Sequence, residues 1–444
     1  MPDALFGLVE REVARRGGGE AELYVVRERA RRYDARGGGI DSVSFADSVA
    51  LGLRVFRNGR MGFSYGFGES GDAIVRMVET ALFCADASDP DPSYGLPDAE
   101  GTVPEPALYD ASWEGIEDPE KAEFAAALER RTLAFDPRLT RVRSALLRES
   151  VSGIRFWNSA GRYGAYRSSE YFAHVESVAE QGAEGQTGYG FGFGRRFSEL
   201  SADSIAAEAG RNAVRMLGAR GLPTGRYTAV LENGAAADLL DVLVPSFLAS
   251  QVAKGKSMLA GKEGQGIASG NVAISDDPLD GRASGAQAFD GEGSPCRRVD
   301  LVERGVLKGF LADSFWGRKL GTGTTASCRR PSPKSPPAVG ISNLFLAPGE
   351  TTPEELLRHA GTGILLTEFL GIHTADPISG DFSVGAAGIR FSGGEQKEPV
   401  RGFAVSGNIL SLLRQVTGAG SDFRWFGNVG APSLAISEIA VGGE

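Results

Sequence analysis

The sequence predicts an α+β protein with a mixed α/β N-terminal domain and a sheet-rich C-terminal domain, for which a barrel is one arrangement the strand pattern allows. Three observations carry this expectation. Runs of alternating or β-branched residues recur along the chain, with only a few stretches of helical period between them. From residue 280 onward those runs are separated by frequent Gly, Pro and Asp turns, the punctuation of a strand-rich domain. At 444 residues the chain exceeds one ordinary core, so two domains are expected, residues 1–222 and 223–444. The 62 glycines, about twice the usual share of roughly 7 %, imply many turns and close backbone approaches.

A helix is expected over residues 3–16, with Leu5, Leu8, Val9 and Val13 on one side and a stop at Gly17-Gly18-Gly19. Strands follow at 21–26, 42–45 and 50–56, and Asn58-Gly59 reads as a tight hairpin turn into the segment from Met61 to Tyr65. Asp72 is the expected cap of a helix that buries Ile74, Val75, Val78, Ala81 and Leu82. Residues 85–108, rich in Asp and Pro, read as a surface linker. Asp118-Pro119 opens the next helix, to about Phe135, with the carboxylate as cap and Pro at the first helical position. Strands return from Thr140 to Phe197 around a turn at residues 158–161, and a helix at 203–217 leads to a boundary at 218–223. Beyond it come a strand at 226–231, a helix at 234–254 with Pro245 as a kink site, and short strands from 280 to 444 interrupted by one helix at 353–360.

Forty-seven basic against fifty-seven acidic residues leave a net charge of −10, which repels a phosphate backbone unless basic residues concentrate. They do not: the arginines between Arg27 and Arg32, and Arg141 with Arg143, alternate with apolar or acidic positions, as on solvated strand faces. Direct nucleic-acid binding is therefore not expected. Cys84, Cys296 and Cys328 are odd in number and far apart, which argues against a disulfide framework and for a reducing compartment. The N-terminus lacks a signal pattern and nowhere do eighteen apolar residues run together, so a cytoplasmic protein with no membrane partner is expected.

The densest candidate segment is Gly371-Ile372-His373-Thr374-Ala375-Asp376-Pro377-Ile378-Ser379-Gly380-Asp381-Phe382-Ser383-Val384-Gly385-Ala386-Ala387-Gly388. His373 is the one histidine beside two carboxylates, Asp376 and Asp381, either of which could fix its tautomer; a loop histidine satisfied by backbone is the plainer reading. The glycines would admit a peptide backbone closely, which makes His373, Gly380, Asp381, Ser383 and Gly385 the candidate substrate contacts. Residues 188–194 alternate glycine with aromatics and come second, as a core strand packed tightly under a helix or as a peptide-binding edge. His174, on an alternating strand, reads as structural. Cys328 precedes Arg329 and Arg330, cations that could lower a thiol pKa, but a nucleophile also needs a base in contact. Residues 253–257 end like a phosphate-binding loop, yet the earlier glycine is replaced by Ser250 and the segment follows a helix, so that reading is discarded.

The 371–388 segment resembles the C-terminal signature of the TldD/PmbA (TldE) family, whose TldD subunits are metallopeptidases and whose PmbA subunits are their partners. Further matches in the family's order are Phe289-Asp290-Gly291-Glu292-Gly293, Gly305-Val306-Leu307-Lys308-Gly309-Phe310-Leu311, the segment from Gly321 to Arg330, the segment from Asn343 to Gly349, and Gly430-Ala431-Pro432-Ser433-Leu434. The family's metal helix carries two histidines aimed at one ion, with a Glu beside the first as general base. In that place this chain has Leu239-Leu240-Asp241-Val242-Leu243-Val244-Pro245-Ser246. Asp241 stands at the first ligand position, Val242 at the base and Ser246 about where the second histidine belongs. One carboxylate and one hydroxyl cannot hold a catalytic zinc, and Val moves no protons; the plainer reading is a buried or interface helix. The only histidines are His174, His359 and His373. TldD subunits also carry a cysteine-containing segment near the C-terminus, where this chain has Phe423-Arg424-Trp425-Phe426-Gly427-Asn428.

The resemblance thus implies a PmbA/TldE-like subunit with no catalytic residue and no metal of its own. Zinc would reside in a TldD-like partner, and the dimer would cleave unfolded or leader-bearing peptides. The alternative is a self-associating peptide-binding protein without protease activity; an independent hydrolase using Cys328 or His373 is a distant third. The family also carries the label of a modulator of DNA gyrase, and nothing in these residues supports contact with DNA.

Overall fold

The computed structural model describes residues 4–98 and 101–443. Helix α1 (Ala4–Arg15) buries Leu5, Phe6, Val9 and Val13, as its period requires. The chain then forms β1 (Glu20–Arg36), β2 (Gly39–Arg57) and β3 (Arg60–Phe67). The strands expected at 42–45 and 50–56 are one strand, because β1 pairs with β2 continuously from Glu20↔Phe56 to Arg36↔Gly39. The turn between them rests on Gly37 and Gly38, both at positive φ. The Asn58-Gly59 turn is present, with φ of 53° and 68°, the left-handed pair that a two-residue hairpin needs.

Helix α2 (Gly71–Ala87) is capped by Ser70, whose hydroxyl accepts from Ala73 N. Asp72 lies inside the first turn instead, where its charge still complements the helix dipole. Helix α3 (Asp118–Phe135) likewise has Glu117 as its cap residue, without a side-chain bond. The Asp118 carboxylate is taken up by Arg31 at 2.6 Å and Tyr33 Oη at 2.9 Å. Strands β4 (Leu139–Asn158), β5 (Tyr163–Gln181) and β6 (Glu184–Gly194) and helix α4 (Ala202–Val214) complete this half. Its six strands form one antiparallel sheet in the order β3-β2-β1-β4-β5-β6. Arg27, Arg29 and Arg31 of β1 lie not on a solvated face but on the face that also carries Tyr33 and Ala35, paired with Asp47, Glu114 and Asp118. Arg29 and Arg31 lie over the buried Trp113 ring; Arg32 points to the other face and pairs with Asp34. The 85–108 linker has no strand beyond the end of α2 among its described residues, yet it is not loose: Arg318 donates to the carbonyls of Ser93 at 3.0 Å and Gly95 at 3.2 Å.

The second half begins with β7 (Gly225–Leu231) and α5 (Asn233–Leu243). The helix expected over 234–254 is broken: α5 gives way to a 3-10 turn over Val244–Phe247, and α6 (Ala249–Ala253) follows. Pro245 has no N–H to continue the α-helical ladder, so the turn tightens there. Then come β8 (Ile274–Asp276), β9 (Val299–Glu303), β10 (Val306–Leu307), α7 (Ser314–Leu320), β11 (Cys328–Arg329), β12 (Ala338–Val339), β13 (Leu344–Leu346), α8 (Pro353–Ala360) and β14 (Thr362–Leu370). The chain ends with β15 (Asp381–Ser392), β16 (Glu395–Asn408), α9 (Ile409–Arg414), β17 (Val416–Ala419), β18 (Arg424–Phe426), β19 (Val429–Ala431) and β20 (Leu434–Gly442). Helices α7 and α9 were not expected; each is too short to display a period, and each is marked only by its cap, Asp313 and Asn408.

Strands β16-β15-β14-β7-β20 follow one another and β20 returns to pair with β16, closing a five-stranded barrel. A second sheet runs β10-β9-β8-β13-β19-β18. Helix α5 lies between them: Leu239, Leu240 and Leu243 join a core with Leu231 and Leu366 of the barrel and Leu344 and Val429 of the sheet. The two halves of the molecule meet across buried charge, with Arg54 bonded to Glu22 at 2.7 Å and to Glu292 at 2.9 Å. No helix among the described residues is long and apolar enough to cross a membrane.

Candidate functional site

Helix α5 turns its leucines inward and leaves Asp238 and Asp241 exposed, with Val242 half-buried. Ser246 lies past the helix end and is fully buried. Its hydroxyl donates to the Pro377 carbonyl at 3.3 Å, and its own carbonyl accepts from Ser257 Oγ at 2.7 Å. Asp241 thus faces solvent while Ser246 faces the core. These residues do not fit a zinc ion. Among the described residues no three His, Cys, Asp or Glu side chains converge as a ligand set.

The 371–388 segment leaves the barrel and re-enters it. Gly371 (φ 83°) opens a 3-10 turn over Ile372–Thr374, and His373 is exposed on it. Neither neighbouring carboxylate bonds to the imidazole. Asp376 accepts from Ile378 N at 2.8 Å and Ser379 N at 3.3 Å, bonds that hold its pKa below the ordinary value, while Asp381 accepts from Asn408 Nδ2 at 2.9 Å. Both carboxylates shape the loop. Strand β15 pairs with β16 from Asp381 onward, but with β14 only from Gly385, which faces Leu370. Residues 381–384 therefore have a strand neighbour on the β16 side alone among the described residues. Ser383 is exposed there, and Gly380 (φ 82°) forms the turn before it.

Residues 188–194 form the outer strand β6, and their glycines serve helix packing. A Cβ on Gly188 would sit 2.1 Å from the Ala209 carbonyl, and one on Gly190 2.2 Å from that of Ile205, so α4 could not lie on a side chain there. Among the described residues the outer edge of β6 has no strand on it, and side chains bond to it. Asn212 Nδ2 donates to Tyr189 O at 2.9 Å, Arg424 Nη2 donates to Phe191 O at 2.9 Å, and Glu208 accepts from Phe191 N at 3.4 Å. Arg424 also pairs with Glu208 and lies over the Phe191 ring, 4.1 Å from its centroid. This edge forms one wall of a cleft of about 830 Å³ that is also lined by Asp238 of α5 and Glu368 of β14. Partial desolvation, with Asp241 and Glu368 nearby, pushes the Asp238 carboxyl up to about 6. The sequence singled out one wall of this cleft, residues 188–194, but not the acidic residues that share it. For those, the signal was Asp238, a single turn before Asp241 on the singled-out helix.

The remaining candidates are structural. His174 on β5 has Nε2 at 3.1 Å from Ser144 Oγ, and burial lowers its pKa. Cys328 is fully buried, and desolvation with Glu292 and Asp290 beside it pushes the thiol up, opposite to the effect expected of its neighbouring arginines. Those arginines are turned elsewhere, Arg330 to Glu22 and Arg329 to Gly285 O and Ser342 Oγ.

Profiles of the PmbA/TldA metallopeptidases match nearly the whole chain: domain 1 over residues 21–85, the central domain over 112–217 and the C-terminal domain over 224–443. The chain belongs to the PmbA/TldD family. The first two profile segments share the single N-terminal sheet, and the third spans the barrel and its neighbouring sheet. A metalloprotease PmbA of Escherichia coli O157:H7 is 28 % identical over 428 residues, covering 96 % of this chain and 92 % of that protein. The crystal structure of TldE from Thermococcus kodakarensis superposes with a TM-score of 0.91 at 21 % identity, covering 99 % of this chain and all of that one, a likeness of fold. A Thermotoga maritima protein described as a modulator of a DNA gyrase superposes with a TM-score of 0.90 at 25 % identity, over 98 % of this chain and all of that one. The PmbA/TldD relatives give the chain a peptidase-type family role.

Proposed function

We propose that this chain is the non-metal-binding subunit of a TldD/TldE-type metallopeptidase complex that cleaves unfolded or leader-bearing peptides in the cytoplasm. A TldD-like chain supplies the zinc and the general base, and this subunit supplies part of the chamber wall and peptide contacts. The observation that carries the reading is the side chains at the metal-helix positions: Asp241 in solvent and Ser246 buried in the core, where a zinc peptidase needs two imidazoles aimed at one ion. A docking surface supports it. Strand β3 pairs with Ala50–Arg57 of β2, so, among the described residues, positions 39–48 keep an edge with no strand on it, with Val43 55 % and Phe45 60 % exposed. A specific interface built there should bury on the order of 1,000 Å² or more.

The same edge suits a second copy of the chain, which is the alternative of a self-associating peptide-binding protein. The test is elemental analysis, sedimentation and peptidase assay of the pure chain, alone and mixed with a TldD-like chain bearing the two-histidine helix. The expected result is no stoichiometric zinc and no cleavage alone, and a heterocomplex that carries zinc and cleaves. Stoichiometric zinc in the pure chain, lost together with activity in His373→Ala, would sink the proposal. A homodimer that ignores the TldD-like chain would favour the alternative.

A further inference from the structure

The edge of β6 is protected in an unusual way. Strand edges in soluble proteins are blunted by charge, proline, bulges or a covering element. Here Tyr189 O, Phe191 N and Phe191 O are each met by a side chain, Asn212 and Glu208 from α4 and Arg424 from β18. Each of those bonds is of the kind an added strand would supply, and a side chain can swing away where a strand cannot. The glycines at 188 and 190 let α4 lie directly on one face of β6.

The facing wall is acidic. Asp238, Glu354 and Glu368 line the cleft and make no ion pair among the described residues. Of the cations lining it, Arg215 and Arg424 are neutralised by Glu232 and Glu208, and only Arg211 is left among the described residues. The cleft's volume of about 830 Å³ is within the range of ligand sites, which run from roughly 300 to 1,000 Å³.

We infer that this cleft binds an extended basic polypeptide, which adds as a strand to the β6 edge and sets its cationic side chains against Asp238, Glu354 and Glu368. Backbone bonds to β6 give affinity indifferent to sequence, and the carboxylates on the opposite wall give the preference for lysine and arginine. The raised pKa of Asp238, set first by partial desolvation and then by Asp241 and Glu368, agrees with this, since an ammonium group placed beside it would offset both. The inference rests on the reading that the subunit handles peptides, but it concerns the isolated chain and needs neither zinc nor a TldD-like partner.

The experiment is fluorescence anisotropy of the pure full-length chain with three fluorescein-labelled probes. These are an alternating lysine and alanine peptide, its glutamate and alanine counterpart, and the lysine peptide with alternate backbone nitrogens methylated. The lysine peptide should bind, more weakly as salt rises, and the glutamate peptide should not. Backbone methylation should abolish binding, because it removes the donors that a strand presents. The double variant Asp238→Asn with Glu368→Gln changes only exposed side chains and should weaken binding about tenfold. Equal binding of the acidic peptide, tight binding of the methylated one, or an unchanged double variant would each overturn the inference. Loss of a homodimer in the double variant, with no peptide bound by the parent, would also overturn it and make the cleft a contact between copies. A chain that fails here yet supports cleavage with its TldD-like partner keeps the proposed function and loses only this site.

Discussion

Asp276 shows how a single buried carboxyl writes a pH dependence into the fold. It is 1 % exposed and makes no ion pair among the described residues; its oxygens accept from Ser342 N at 2.8 and 3.1 Å. Desolvation, against a smaller opposing effect of Arg329, pushes it up to about 6 from an ordinary 3.8. A folded-state pKa raised above the unfolded one means the folded chain holds the proton more tightly. The stabilisation is thus complete below pH 4 and is lost as pH rises through 6, by roughly 3 kcal/mol for this group. Asp290 and Asp313 are displaced in the same direction by their own burial. Urea midpoints should therefore fall between pH 4 and pH 7. Asp276→Asn keeps a carbonyl for Ser342 N but cannot ionise, so it should flatten the slope by about its share; an unaltered slope would mean Asp276 is solvated. Thiol chemistry offers a second check at this scale. Cys296 and Cys328 are buried with raised pKa values and Cys84 is half-buried, so iodoacetamide should modify at most Cys84 in the folded chain and all three after unfolding. Rapid native modification of Cys328 would reopen the nucleophile reading.

At the level of elements, the glycines separate packing from binding. Gly190→Ala would place a Cβ 2.2 Å from the Ile205 carbonyl and must lift α4 off β6, a loss of about 2–3 kcal/mol measurable by urea denaturation. Parent stability in that variant would show that α4 can shift freely. Gly385 differs, since its Cβ would meet only the flexible Leu370 side chain, at 3.3 Å. Gly385→Ala should leave stability within about 1 kcal/mol of the parent and lower cleavage of unrelated peptides together, if the open edge at 381–384 contacts substrate. Unchanged cleavage by an intact complex would move the substrate surface elsewhere. Gly380 is the poorer probe, because its φ of 82° strains any side chain before a peptide arrives. These elements also show what could be read in advance. Helix α1, the Asn58-Gly59 hairpin and β7 are local events, and local period and turn chemistry announced them. The fusion of 42–45 with 50–56 into β2 was hidden, since residues 39–48 are exposed on both faces and so carry no alternation. Closure of the barrel by β16 and β20 depends on partners such as Val405 and Val441, far apart in the chain. Of the cleft only the 188–194 strand was legible, for the same reason: Asp238, Glu368 and Arg424 join Phe191 from three other elements that only the fold brings together.

Across the whole molecule, the N-terminal sheet and the C-terminal half are coupled through ions that water does not reach. Arg54 lies between Glu22 of its own sheet and Glu292 of the other half; Arg330 reaches back to Glu22, and Glu292 also accepts from Ser314 N at 2.9 Å and Ser314 Oγ at 2.8 Å. Buried pairs of this kind often contribute little net stability, but removing one partner strands the other, at a cost of about 3–5 kcal/mol. Arg54→Met should leave Glu22 with Arg330 and strand Glu292, which has no other cation in bonding reach among the described residues. Differential scanning calorimetry of that variant should show a lower Tm. The double variant Arg54→Met with Glu292→Gln should recover part of the loss, because a neutral amide can keep a bond to Ser314 without a buried charge. The cycle of single and double variants then measures the coupling directly. The cleft beside β6 lies between the same two halves, so a loosened joint should also weaken binding of the lysine peptide although no cleft residue has changed. If Arg54→Met costs less than about 1 kcal/mol and the double variant is no better, apolar contacts such as Phe156 against Phe289 hold the halves together, and the charges do not set their alignment.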